Sequence, residues 1–297
     1  MPASPEQSRS PLGEEPVVFP CADSHLLGVV HHADAIGEVA KTGILIVTGG
    51  PQYRIGSHRQ FLLLARAFAA AGVPAFRFDH RGSGDSEGEY LGFEGIGEDI
   101  AAAVDAFFAQ VPGLERVVLW GLCDAASAIL FYAGRDPRVA GLLLVNPWVH
   151  EEADEDRSMV KHYYGQRILD PVFWRKLLSG GVDLGAALRG LSGSVAGWLR
   201  SAASRRAPEE AASGPLPDRM AQGLARFEGP VGLILSGRDL TAREFLDAAG
   251  APEWRRLLAE PRISRHDLPA ADHTFSRRVW REAVAEWTLS WLRKVEN

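Results

Sequence analysis

A cysteine stands where a chain of this pattern would hold a nucleophile. Val117 to Trp120 is an apolar run that ends at Gly121. Leu122, Cys123 and Asp124 follow, then Ala125, Ala126 and Ser127 open a helical pattern. An apolar strand, a Gly-x-nucleophile-x-small turn and a helix make the sequence form of a nucleophile elbow, which raises a reactive side chain above a parallel sheet. The usual pattern is G-x-S-x-G. Here Cys123 takes the Ser position and Ala125 the last Gly. Small residues flank the nucleophile because neighbouring backbone crowds the turn. A thiolate is strongly nucleophilic and suits thioester exchange.

A nucleophile needs a base, and the base needs a group to orient it. In elbow folds the chain order is nucleophile, acid, His. The sequence offers Asp239 in Ser236-Gly237-Arg238-Asp239 and His273 in Ala270-Ala271-Asp272-His273, each just beyond an expected strand. Cys123 is then the attacking thiolate, His273 the base and later the acid, and Asp239 the orienter. Asp239 also precedes a short helical stretch, so it could serve only as an N-cap. Rival acids are Glu151, Glu152 and Asp272. An oxyanion hole would combine the amide of Asp124 with one from Thr48-Gly49-Gly50-Pro51-Gln52-Tyr53-Arg54. Gly50 is the better donor because Pro51 has no N–H, and Gln52 is the fallback. Gly49-Gly50 could instead be only a tight turn.

These residues need strands to carry them. Gly43 to Thr48, Pro74 to Phe78, Arg116 to Trp120, Val139 to Val145, Val231 to Ser236 and Ile263 to Leu268 read as strands. The continuous apolar character of Gly43 to Thr48 suits a strand covered on both faces. Phe61 to Ala71, Ile100 to Phe108, Ala125 to Tyr132 and Thr274 to Lys294 read as helices, the last with Trp280, Ala283, Trp287 and Trp291 on one stripe. Val17 to Phe19 and Leu26 to His31 read as an antiparallel pair at an edge. Asn146-Pro147-Trp148 closes one strand. The alternation predicts an α/β fold, a mostly parallel central sheet flanked by helices. It breaks between Val149 and Phe227, where helical pieces rich in Trp, Tyr and Arg predict a cap inserted over one end. The expected division is a disordered leader at 1–15, a core of 16–148 and 228–297, and a helical cap at 149–227.

Composition narrows the function. A formal net charge of −6 and no basic run interleaved with aromatics argue against nucleic acid. No apolar run approaches the roughly 18–20 residues of an integral membrane segment, and the polar start lacks a secretion-signal pattern. The chain has 2 cysteines, Cys21 and Cys123, which argues against a disulfide framework and for a reducing, cytoplasmic setting. His31 and His32 are adjacent with no second pair at zinc-site spacing, so neither a metal nor a cofactor is expected. Asp79-His80-Arg81-Gly82-Ser83-Gly84-Asp85-Ser86 looks superficially like a phosphate loop. Its glycines break the G-x-G-x-x-G spacing, and it reads as a structural turn beside the site.

Together these strings resemble the α/β-hydrolase superfamily with a helical cap over nearly the whole chain beyond the leader. Gly49-Gly50-Pro51-Gln52-Tyr53-Arg54-Ile55-Gly56-Ser57-His58-Arg59 and Gly121-Leu122-Cys123-Asp124-Ala125 are similar to the exosortase A system-associated hydrolases. That resemblance implies a link to bacterial exopolysaccharide and protein-sorting systems and supplies no substrate. The chain departs from the superfamily pattern at Cys123, at Ala125, and at Thr48, where a His is common. The expected function is hydrolysis of a thioester or ester of a small-molecule acyl substrate through a Cys123 acyl-enzyme. Transfer of the acyl group to another acceptor, a non-catalytic scaffold, and a membrane-surface partner remain open.

Overall fold

The computed structural model describes residues 13–33, 40–50, 52–150 and 214–296. Its strands are β1 (Glu14–Cys21), β2 (Ser24–His31), β3 (Thr42–Val47), β4 (Ala75–Phe78), β5 (Arg116–Leu122), β6 (Val139–Val145), β7 (Val231–Ser236) and β8 (Ile263–Leu268). They form one sheet in the order β1-β2-β4-β3-β5-β6-β7-β8. β1 and β2 are a hairpin, β2 meets β4 antiparallel, and every later pairing is parallel. The helices are α1 (Gln60–Ala70), α2 (Gly97–Gln110), α3 (Asp124–Tyr132), α4 (Leu216–Arg226), α5 (Leu240–Ala248), α6 (Pro252–Leu258) and α7 (Arg278–Glu296).

The continuous apolar runs are explained by two cores. Successive side chains on a strand point to opposite faces. Ile44 and Ile46 of β3, with Val118 and Trp120 of β5, pack under α1 and α7. Leu45 and Val47, with Val117 and Leu119, pack under α2 and α3. A strand polar at every second position would leave one helix layer without a partner. On α7 the buried ridge is Val284, Thr288, Trp291 and Leu292, one residue on from the expected stripe. Trp280 and Trp287 flank it, half-buried, and Trp287 lies over His266 of β8 with ring centroids 5.3 Å apart.

Chain order creates the crevice. From β3 the chain moves to β4 on one side, then crosses back to β5 on the other. The loops after β3 and β5 therefore diverge at the carboxyl ends of two adjacent strands, the switch point where open α/β sheets bind ligands.

β1 starts at Glu14, inside the expected leader, because the side chains there have partners. Glu14 accepts from Arg66 Nε at 2.5 Å, and Glu15 meets His32 Nε2 at 2.9 Å. The chain divides into two units, residues 1–149 with 216–297, and 150–215. Of the expected insertion, 151–213 lie outside the described residues. α4 belongs to the first unit and sits on α3, where a Cβ at Gly223 would come within 2.5 Å of the Leu130 carbonyl oxygen. No helix among the described residues is long and apolar enough to cross a membrane.

His31 and Arg77 bury two basic side chains at the β2–β4 pairing. Arg77 Nε donates to His31 Nε2 at 2.9 Å, so the ring carries its proton on Nδ1, 3.7 Å from Glu14 Oε1. Burial first, and the Arg77 charge second, push His31 down to about 4 from an ordinary value of 6.5. The native state keeps His31 neutral where the unfolded chain takes up a proton. The associated stability is therefore complete above 6.5 and is lost as pH falls toward about 4. Thermal unfolding followed between neutral pH and about pH 4 is expected to show a smaller acid-induced drop in Tm for His31→Gln than for the parent. An equal drop would exclude His31 as the titrating group.

Candidate active site

β5 ends in a turn that the chain must be forced to make. Cys123 has φ 63° and ψ −127°, a backbone conformation that a side chain adopts at a cost of about 1–3 kcal/mol. Its N–H donates to the Val145 carbonyl at 2.9 Å, and its carbonyl accepts from Ala126 N–H at 3.0 Å and Trp148 N–H at 3.2 Å. Ser127 Oγ donates to the Trp148 carbonyl at 2.5 Å, which fixes that last donor. α3 begins so close above the strand that a Cβ at Gly121 would stand 2.7 Å from the Ala125 carbonyl oxygen. Ala125 is fully buried, which explains a small residue at the elbow's last position.

Asp239 follows β7 and His273 follows β8. The structure joins them: His273 Nδ1 donates to Asp239 Oδ2 at 2.8 Å. With the proton on Nδ1, Nε2 carries the lone pair that a base needs. Asp239 is also the N-cap of α5, accepting from Thr241 N–H at 3.2 Å and Ala242 N–H at 3.3 Å. The two expectations for this residue are thus compatible, since a carboxylate has lone pairs enough for cap and imidazole together. Of the rival acids, Asp272 is turned away onto Ser276, whose N–H and Oγ both donate to it. Burial alone would raise the Asp272 carboxyl, but those hydrogen bonds outweigh burial and hold it below its ordinary range. Glu151 and Glu152 lie outside the described residues.

Asn146 is a residue the sequence reading passed over as the close of a strand. It is buried at φ 44°, just past β6. Oδ1 accepts from Ser236 N–H at 2.8 Å, and Nδ2 donates to Ser236 Oγ at 3.0 Å and to the His273 carbonyl at 3.2 Å. The available signal was its type: Asn is enriched at positive φ, and a polar residue ending a fully apolar strand needs partners.

The loop after β3 lies against the elbow. A Cβ at Gly49 would stand 1.8 Å from Asp124 Oδ1, so that position admits only glycine. Asp124 Oδ1 also accepts from Ala125 N–H at 3.0 Å. The Gly50 N–H has no acceptor among the described residues, whereas Gln52 N–H is spent on the Gly49 carbonyl at 3.3 Å. Gly50 thus keeps a donor at the crevice and the fallback does not. The loop is fastened from behind by the 79–86 segment. Asp79, wholly buried, accepts from Arg54 N–H at 2.6 Å, from the Arg54 guanidinium, and from Asp85 N–H at 3.1 Å. Ser83 Oγ donates to the Gln52 carbonyl at 2.9 Å. Arg81 grips Asp99 of α2 through Nη2 at 2.8 Å. A pocket of about 260 Å³ lies beside this clamp, lined by Gly50, His80, Gly82, Ser83, Gly84 and Tyr90. Among the described residues no cluster of His, Cys, Asp or Glu is gathered that could hold a metal ion.

Residues 44–189 match the model of a family described as serine aminopeptidase, S33. A human monoglyceride lipase is 31% identical over 109 residues, which span 36% of this chain and 35% of that protein's own length. An esterase of Pyrococcus furiosus superposes with a TM-score of 0.63 at 14% identity, covering 95% of this chain and 90% of that one. A hydrolase of Penicillium superposes at 0.62 with 18% identity, covering 95% and 98%. An enzyme of Butyrivibrio proteoclasticus with bound ferulic acid superposes at 0.58 with 13% identity, covering 93% and 99%. At these identities the structural likeness is one of fold.

Removing the carboxylate of Asp79 would leave the Arg54 guanidinium only the exposed Asp85 carboxylate, 2.7 Å from Nη2, and would unpair the Arg54 and Asp85 N–H groups. Asp79→Ala is expected to lower unfolding stability by about 3–5 kcal/mol, the range for breaking a buried pair from one side. Denaturant unfolding checks this, and a loss under about 1 kcal/mol would mark the pair as no stronger than one at the surface.

Proposed function

We infer that this chain, which has the α/β-hydrolase fold, cleaves an ester or thioester through an acyl group carried on Cys123. The observation that carries the inference is the 2.8 Å bond from His273 Nδ1 to Asp239 Oδ2, beyond the ends of β7 and β8, in a chain whose β5 ends in a strained cysteine. His273 Nε2 takes the thiol proton as Cys123 Sγ attacks the acyl carbon, and a C–S bond forms. The carbonyl electron pair moves onto oxygen, where the N–H groups of Gly50 and Asp124 receive it. That pair then returns, the bond to the leaving alkoxide or thiolate breaks, and His273 gives the leaving group its proton. Water attacks the acyl-cysteine next, yielding its proton to His273, and the carboxylic acid leaves with the thiol restored. The start of α3 adds positive partial charge beside the nucleophile. Asp239 stabilises the imidazolium that forms in each half and holds its tautomer.

An ester or thioester is favoured over a peptide because likeness extends to a lipase and to esterases, and because a thiol exchanges readily with thioesters. The same acyl-cysteine can pass its group to an alcohol or amine, so an acyltransferase differs only in the second acceptor. The link to exopolysaccharide and exosortase systems rests on the resemblance of the Gly49–Arg59 and Gly121–Ala125 strings. A cytoplasmic site of action fits a chain whose two cysteines form no disulfide.

Intact mass after brief exposure to a panel of acyl thioesters and activated esters is expected to show an acyl adduct on the parent and none on Cys123→Ala. Adding acceptors would separate transfer from hydrolysis. Turnover that survives in Cys123→Ala would remove Cys123 as nucleophile. No adduct and no turnover across the panel would favour the scaffold. In the same assay Asp239→Asn is expected to lower kcat by about 10⁴, as when the orienting acid of such a triad is lost.

A further inference from the structure

We propose that Asn146 is a positioning residue for this chemistry, fixing where His273 stands relative to Cys123; the proposal rests on the role of His273 as base. Asn146 sits between the two groups. The residue before it, Val145, takes the Cys123 N–H at 2.9 Å, and Trp148, two residues on, donates to the Cys123 carbonyl at 3.2 Å. Its own Nδ2 holds the His273 carbonyl at 3.2 Å. Three residues of the 145–148 segment thus grip the backbone of the nucleophile on one side and that of the base on the other.

The side-chain orientation is dictated by its partners. Ser236 N–H can only donate, so Oδ1 must face it, at 2.8 Å, and Nδ2 must face the opposite way. There it meets Ser236 Oγ at 3.0 Å and the His273 carbonyl. Ser236 Oγ has one proton, which goes to the Asp272 carbonyl at 3.0 Å. Two successive carbonyls of the His273 loop are therefore tied down, that of Asp272 to the end of β7 and that of His273 to the residue after β6. The sheet does not need this carboxamide, because main-chain bonds already pair β6 with β7, including Asn146 N–H to the Ile234 carbonyl at 3.0 Å. The His273 carbonyl lies beyond the last residue of β8, and no sheet bond holds it. Asp239 fixes the imidazole at Nδ1, but a ring is only as well placed as the main chain that bears it. Left-handed backbone at Asn146 restricts substitution to Gly, Asp and Asn without strain.

Asn146→Gly keeps that backbone and removes the carboxamide. Asn146→Asp is nearly isosteric, keeps the acceptor for Ser236, and turns an acceptor on the His273 carbonyl. Both are compared with Leu142→Ala, a buried truncation earlier on β6 that touches neither group. Steady-state kinetics on the thioester turned over fastest, thermal unfolding, and ¹⁵N spectra of the His273 ring are read together. In both Asn146 variants kcat is expected to fall roughly 10- to 100-fold with KM within about twofold, the cost of a small misplacement, and the His273 signals to broaden or split. Leu142→Ala should lose Tm but keep kcat and the His273 spectrum. Unchanged kcat and His273 spectra in the Asn146 variants would overturn the proposal, as would equal losses in Leu142→Ala. Asn146→Asp decides the matter if the glycine variant does not fold. A parent inactive on every thioester and ester would sink the hydrolase reading alone, because the ring spectra still report whether Asn146 holds His273.

Discussion

The backbone at Cys123 sits in a well that costs energy, and the carboxyl end of the sheet is arranged so that it has no cheaper choice. Its N–H and carbonyl are both claimed by the segment after β6, the helix above leaves room only for a glycine two residues before, and a buried alanine follows. Loosen any of these and the strand would run on or the helix would start later, and the thiol would no longer stand at the crevice. Local strain of this kind persists only where the surroundings over-determine it. The two helix layers and the continuous apolar strands supply that rigidity.

Two buried carboxylates repeat the logic on either side. Asp79, behind the loop after β3, and Asp239, after β7, each accept from three donors, and in each case some belong to the main chain and one to a basic side chain. A carboxylate out of water needs that many partners to remain charged. The result is that a charge fixes a loop. Asp79 immobilises the strip that bears Gly50, and Asp239 immobilises the ring of His273. Asn146 does with a neutral amide, at the His273 carbonyl, what the acids do with charge.

The architecture was legible because its signal is redundant. Val139–Val145, Val231–Ser236 and Ile263–Leu268 have in the sequence the bounds they have in the structure, the first two as apolar runs between turn residues and the third as a short stretch that continues the strand–helix alternation. Cys123, Asp239 and His273 could be placed because each follows a strand of that alternation. What escaped was information carried by pairs distant in sequence. Nothing in Asn146-Pro147-Trp148 announces a bond to a carbonyl at position 273. Nothing in Asp79 announces Arg54, and the loop between Asp79 and Ser86 could be called structural without revealing what it supports. The start of β1 was misjudged for the same reason: Glu14 and Glu15 look like a charged leader until Arg66 and His32 are beside them. The α7 stripe was placed one residue early because tryptophans dominate a sequence pattern, although the smaller Val284 and Thr288 are the residues wholly covered.

The site is drawn from widely separated parts of the chain. Cys123 comes just after the fifth strand, and Asp239 and His273 come after the seventh and eighth. A ribosome delivers these in order, so a nascent chain possesses its thiol well before it possesses the residues proposed as base and orienting acid. Asp239 acquires two of its donors only when α5 has formed above it. Under the proposed chemistry, reactivity is withheld until the last strand has docked: a half-made chain carries an unarmed cysteine, and a finished one an armed cysteine.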